Sequence, residues 1–129
     1  MNRERALKIL LVLLGLLFGA GVYPLMTSVW NGWQANKEDA LPMMLSLYVT
    51  LGIFLLVAAR NPSANRSVTA FAAWSSFAHG AVMAVMAIRL ASERGGLLIA
   101  AAVLGIIAAA LIVLAPAKQL GERASAAGA

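Results

Sequence analysis

The chain has 129 residues, of which 62% are hydrophobic and 12% are charged, and its mean hydropathy is +0.86. Soluble domains are about a quarter charged, so too few polar residues exist here to cover a soluble fold. The sequence contains no cysteine, which excludes disulfides, thiolate metal sites and cysteine nucleophiles. The composition therefore predicts an integral membrane protein with one domain and no second soluble module.

The net charge of +5 comes from basic residues that are dispersed along the chain. Most of them flank long apolar runs, as expected of membrane-flanking charge. A nucleic-acid-binding protein would instead gather its Lys and Arg into a patch or stripe. We therefore expect the lipid bilayer, and no nucleic acid, as a partner.

The first apolar run covers residues 7–29. A bilayer core about 30 Å thick needs about 20 mainly apolar residues per helix, so this run is long enough to span it. Pro24 lies inside the run. Proline removes a backbone donor and clashes with the preceding turn, which predicts a kink or an early end to the regular helix.

Three further runs follow, over residues 41–59, 68–88 and 97–115. The 68–88 run is the most polar of them, but no charged residue lies between Arg66 and Arg89. The predicted fold class is an all-α polytopic membrane protein with four transmembrane helices in one bundle. That domain occupies residues 1–116, and residues 117–129 form a short cytoplasmic tail.

The distribution of Lys and Arg predicts the orientation. The N-terminus, the second loop and the tail carry seven basic residues, whereas the first and third loops carry three. Basic loops stay in the cytoplasm, so both termini are expected there and the loop around Lys37 is expected outside. The expected location is a bacterial inner membrane.

Small residues recur at helical spacing in the first and fourth spans. Helices in lipid associate through close backbone approach, which small residues permit. The candidate packing residues are Gly15, Gly19, Ala101, Gly105 and Ala109. These faces either pack within one four-helix unit or form a homodimer or larger membrane complex, and the sequence leaves both open.

The middle of the chain resembles a known family. The resemblance runs from about Tyr23 to Ile88 and is most specific at Ala59-Arg60-Asn61-Pro62 and at Trp74-Ser75-Ser76-Phe77-Ala78-His79-Gly80. These segments are similar to an uncharacterised family of small bacterial four-span membrane proteins. The resemblance implies that fold and a bacterial membrane, and it implies no chemistry.

Ionisable groups inside the spans are candidates for function, and His79 is the one that this sequence provides. No carboxylate lies well inside any span, which argues against a proton-coupled exporter and against acid–base hydrolysis. Ser75, Ser76 and Met83 share a helix face with His79, at spacings of three and four residues. The protein is therefore more readily understood as a non-enzymatic component than as an enzyme.

We expect the His79 ring to face the bundle interior, near a hydroxyl of Tyr23, Ser46 or Tyr48. Three interpretations remain open. In the first, the histidine and the nearby methionines only fill the helix interface. In the second, they line an outward-opening pocket for an apolar ligand such as a lipid or quinone. The third is a redox or metal-binding subunit that holds copper or haem. The ligand-binding candidates are His79, Tyr23, Tyr48, Ser46, Ser75, Ser76 and Met83, and the weaker metal candidates are His79, Met83, Met86, Met43 and Met44.

Overall fold

A computed structural model describes residues 2–30, 40–116 and 127–128, without the side chains of residues 28, 29, 40 and 41. The predicted loop around Lys37 and most of the predicted tail lie outside the described residues. The described residues contain no strand. The helices are α1 (Arg3–Gly19), α2 (Val22–Trp30), α3 (Ala40–Arg60), α4 (Arg66–Arg89) and α5 (Arg94–Leu114).

Within these residues, four stretches are long and apolar enough to cross a membrane: Arg3–Thr27, Pro42–Arg60, Arg66–Arg89 and Arg94–Leu114. The first combines α1 with most of α2, and each of the others corresponds to one helix. The predicted class, an all-α protein with four transmembrane helices, is confirmed.

The first stretch is interrupted at Ala20 and Gly21, between α1 and α2. Pro24 has no N–H, so the Ala20 carbonyl cannot accept the usual bond from four residues ahead, and the proline ring crowds that carbonyl. The Tyr23 N–H donates to the Ala20 carbonyl instead, at 3.3 Å, and the Gly21 N–H donates to the Phe18 carbonyl at 3.1 Å. The proline thus ends the regular helix early, one turn before its own position.

The helices pair as two hairpins, α1 with α3 and α4 with α5. In the first hairpin the backbones approach closely at glycines. A Cβ atom at Gly52 would lie 2.9 Å from the Gly15 carbonyl oxygen, and one at Gly15 would lie 2.7 Å from the Leu56 side chain. Glycine is required at these two crossing positions because any larger residue would force the helices apart.

The second hairpin packs through Gly80 of α4. A Cβ atom there would lie 3.2 Å from the Ala101 carbonyl oxygen and 3.4 Å from Leu104 Cβ. Ala108 and Leu111 continue the same face of α5 and are buried. A Cβ atom at Gly105 would meet nothing within 4 Å.

Only part of the predicted packing face of α5 therefore packs within the chain, and a role of the rest in a homodimer stays a prediction. Ala101 packs as expected, but Gly105 lies off the contact and Ala109 is exposed. In a helix this rich in alanine, several faces offer small residues, so spacing alone does not select the one that α4 contacts.

The two hairpins join at one end of the bundle, called here the core end, which carries the start of α1, the 61–65 turn and the end of α5. The Arg3 guanidinium Nη2 donates to the Ala115 carbonyl at 2.8 Å and so links the first helix to the last. The hydrophobic core lies at this end and contains Leu7, Leu11, Leu14, Leu55, Ala58, Ala59, Ala72, Ala73 and Leu111. Over their whole length, α3 and α4 share few contacts compared with the two hairpin pairs.

Candidate functional site

A polar contact joins the two hairpins near the middle of the bundle. The Tyr48 hydroxyl of α3 and Nδ1 of His79 in α4 are 2.5 Å apart, and both residues are half-buried. The edge of the Phe18 ring packs against Tyr48, with ring centroids 5.1 Å apart. Of the three hydroxyls expected to reach His79, Tyr48 is the one that does.

The Tyr48–His79 pair lies deep in the membrane-spanning part of the chain. His79 is thirteen residues after Arg66 and ten before Arg89. At 1.5 Å per residue, it lies about 20 Å from one helix end and about 15 Å from the other. His79 therefore lies near the middle of a helix that is long and apolar enough to cross a membrane. Inside a bilayer, an unsatisfied polar group at that position is costly.

A groove opens between α3 and α4, with this pair toward one end and Met44 and Leu47 of α3 beyond it. Its volume is about 520 Å³, and stripes of the two facing helices line it. The α3 residues are Met44, Leu47, Tyr48, Thr50, Leu51 and Phe54, and the α4 residues are Ser67, Val68, Phe71, Ser75, Ser76 and His79.

The pairing of the helices explains why this space is unfilled. The buried small residues of α3 and α4 include Gly52 and Gly80, and each glycine faces the partner within its own hairpin. Between the hairpins, α3 and α4 meet closely at the core end. Beyond the core end, Leu51 and Phe54 of α3 line one side of the groove. Phe71 and Ser75 of α4 line the opposite side.

Not all predicted site residues come together. His79, Tyr48, Ser75, Ser76 and Met44 line the groove. The remaining predicted residues, which lie outside its lining, are Tyr23, Ser46, Met43, Met83 and Met86. Tyr23 is 74% exposed, and the Ser46 hydroxyl donates to the Met43 carbonyl of its own helix at 2.6 Å.

The expected position of the pocket is corrected as well. Met83 is a predicted ligand-binding residue of an outward-opening pocket, but the α4 wall of the groove extends from His79 toward Ser67, in the direction of the core end, and does not include Met83. The walls that the sequence analysis missed include Leu51, Phe54 and Phe71. Their signal was present as apolar residues at helical spacing on α3 and α4, but facing stripes cannot be recognised without knowing how the helices pair.

The described residues also bear on the predicted metal site. Among the described residues, no group of three or more His, Asp, Glu or Cys side chains is close enough to hold a metal ion. The predicted methionine ligands are dispersed, since Met43 is 65% exposed and Met83 and Met86 lie outside the groove.

The four apolar helices define a small multi-pass membrane protein. The chain belongs to a family of unknown function, DUF6632, whose model matches residues 2–127. The expected membership in an uncharacterised family is thereby confirmed. No curated protein and no solved structure matches the chain.

Proposed function

We propose that this protein is a non-enzymatic membrane component that holds one apolar ligand, of the lipid or quinone type, in the groove between α3 and α4. The observation that carries the proposal is a groove of about 520 Å³ whose mainly apolar lining includes one pair of polar rings, Tyr48 and His79. Its other polar side chains are the hydroxyls of Thr50, Ser67, Ser75 and Ser76. Small-molecule sites have volumes of about 300–1,000 Å³, mainly apolar walls and a few placed polar groups.

The groove is accessible from the side of the bundle. Leu47, Phe54 and Phe71 line it and are 73%, 55% and 64% exposed. In a bilayer, these side chains would meet acyl chains, so an apolar molecule could enter from the membrane without crossing water. The lining contains no carboxylate and no Lys or Arg, which favours binding over acid–base catalysis.

The proposed location is a bacterial inner membrane with both termini in the cytoplasm. The described core end carries Arg3, Arg5, Lys8, Arg60 and Arg66, whereas the opposite end carries Arg89 and Arg94 among the described residues. This bias supports a cytoplasmic core end.

A steric block tests the binding proposal. Ser75 lines the groove and Ala70 is exposed on the same helix outside it. In Ser75→Phe a benzyl group occupies the groove, and in Ala70→Phe it points toward lipid. Apolar molecules that co-purify with the wild type should be lost from Ser75→Phe and retained by Ala70→Phe, as measured by solvent extraction and mass spectrometry.

Equal retention by both variants would contradict the proposal. The visible spectrum and metal content of the same wild-type preparation test the alternative function. A haem Soret band or stoichiometric copper would favour a redox or metal-binding subunit that uses His79.

A further inference from the structure

We infer that the groove selects ligands with a hydrogen-bonding ring head and an apolar tail, as in a quinone, and that the head binds at Tyr48 and His79. This inference rests on the proposed function, because it assumes that the groove binds a ligand. It adds where the polar part of that ligand lies and which chemical class it belongs to.

The depth of the Tyr48–His79 pair distinguishes between the possible apolar ligands. A phospholipid keeps its headgroup at the membrane surface, and only its hydrocarbon would reach His79. His79 lies about 15–20 Å along α4 from the nearest charged residues of that helix. A polar pair at this depth is matched by a ligand whose polar group is itself buried in the hydrocarbon, and a ring head on an apolar tail meets that requirement.

The hydrogen bond between Tyr48 and His79 leaves one imidazole nitrogen for a ligand. A neutral imidazole has one nitrogen that donates and one that accepts. If the Tyr48 O–H donates to Nδ1, the His79 Nε2–H is left to donate to a ring carbonyl. If Nδ1–H donates to the tyrosine oxygen, Nε2 accepts and can take a hydrogen bond from a ring hydroxyl. The pair therefore suits both the carbonyl and the hydroxyl form of one ring.

The shape of the groove suits a planar head with an apolar tail. Its polar end presents two aromatic rings, Tyr48 and His79, with centroids 5.8 Å apart. The walls then continue past Leu51 and Phe54 to Val68, toward the core end. Eleven residues of α4 separate Val68 from His79, which corresponds to about 17 Å. A planar head would contact the rings, and a tail would follow the apolar walls.

The test compares two probes on the full chain in detergent. Decylubiquinone has a ring head with carbonyls, and decylbenzene has a ring and the same tail without a polar group. Bound probe is quantified by chromatography after gel filtration across a concentration series. The wild type should bind decylubiquinone about tenfold more tightly, the scale of one hydrogen bond in a site shielded from water.

Tyr48→Phe keeps the ring and removes the hydroxyl that holds the imidazole in place through Nδ1, and His79→Leu removes the imidazole that bonds the ring head. Both should reduce the preference for decylubiquinone to less than about threefold while decylbenzene binding is retained. Circular dichroism and gel filtration verify that each variant is folded. Ser75→Phe should abolish binding of both probes.

The outcomes separate the two proposals. If Ser75→Phe abolishes binding but Tyr48→Phe and His79→Leu keep the full preference for decylubiquinone, the polar-head inference is wrong and the groove remains a ligand site. Equal wild-type affinity for the two probes would also overturn the inference. If Ser75→Phe binds both probes like the wild type, the proposed function itself fails.

Discussion

Gly52 of α3 lies directly against the backbone of Gly19 in α1, so that a Cβ atom at Gly52 would be 2.7 Å from the Gly19 nitrogen. Gly105 occupies a similar Leu-Gly-Ile sequence in α5, yet a Cβ atom there would meet nothing within 4 Å. Two glycines in matching local sequences therefore have opposite packing roles.

The first prediction uses this pair of glycines. Gly52→Ala should destabilise the protein by about 1–3 kcal/mol, because the added methyl group overpacks a backbone contact. Gly105→Ala should cause no loss of stability. Thermal unfolding in detergent, followed by circular dichroism, measures both. Equal midpoints for the two variants would contradict the close packing at Gly52.

The second prediction concerns Gly19 and Gly15. A Cβ atom at Gly19 meets nothing within 4 Å, whereas one at Gly15 meets Leu56. Gly19→Ile should therefore remain folded and Gly15→Ile should not. If the wild type is a dimer through the Gly19 face, Gly19→Ile will elute as a monomer in mild detergent. A misfolded Gly19→Ile would instead place that face inside the bundle.

The third prediction addresses the stability of the polar contact. Tyr48→Phe leaves His79 without its phenol partner and should lower the unfolding free energy by about 1 kcal/mol, as expected for a hydrogen bond between membrane helices. Tyr23→Phe is the control, because Tyr23 is 74% exposed. Denaturant titration in mixed micelles compares the variants, and a larger loss for Tyr23→Phe would be incompatible with the observed contact.

The fourth prediction concerns the orientation of the chain in the membrane. Because the sequence has no cysteine, an introduced cysteine is the only thiol that can be labelled. A single cysteine placed by Lys37→Cys should react with a membrane-impermeant maleimide added to intact cells. One placed by Ser125→Cys should react after the membrane is opened. The reverse pattern would invert the proposed topology.

The sequence was sufficient to predict those features of the structure that depend on one helix at a time. The four apolar runs, the break caused by Pro24 and the depth of His79 all follow from composition and helix geometry. The contact of His79 with a hydroxyl was also foreseeable, since a buried imidazole needs a partner, although three hydroxyls were equally acceptable.

The rest depends on how helices pair, which the sequence encodes weakly. The Ala101, Gly105 and Ala109 series and the Ala101, Leu104 and Ala108 series have almost the same spacing. Beyond Ala101, which they share, only the second series packs within the chain. For the same reason, the groove walls at Phe54 and Phe71 were missed, because opposite faces of α3 and α4 are comparably apolar.

The arrangement in two hairpins also bears on how the chain is made. Each hairpin consists of helices that follow one another in the sequence, so α1, α2 and α3 can assemble while α4 and α5 are still being synthesised. The Arg3–Ala115 bond joins positions 112 residues apart and closes when α5 has been inserted. Helices inserted separately can associate afterwards within the bilayer. We therefore expect the translocon to release two preassembled halves, and the ligand groove to form when they dock.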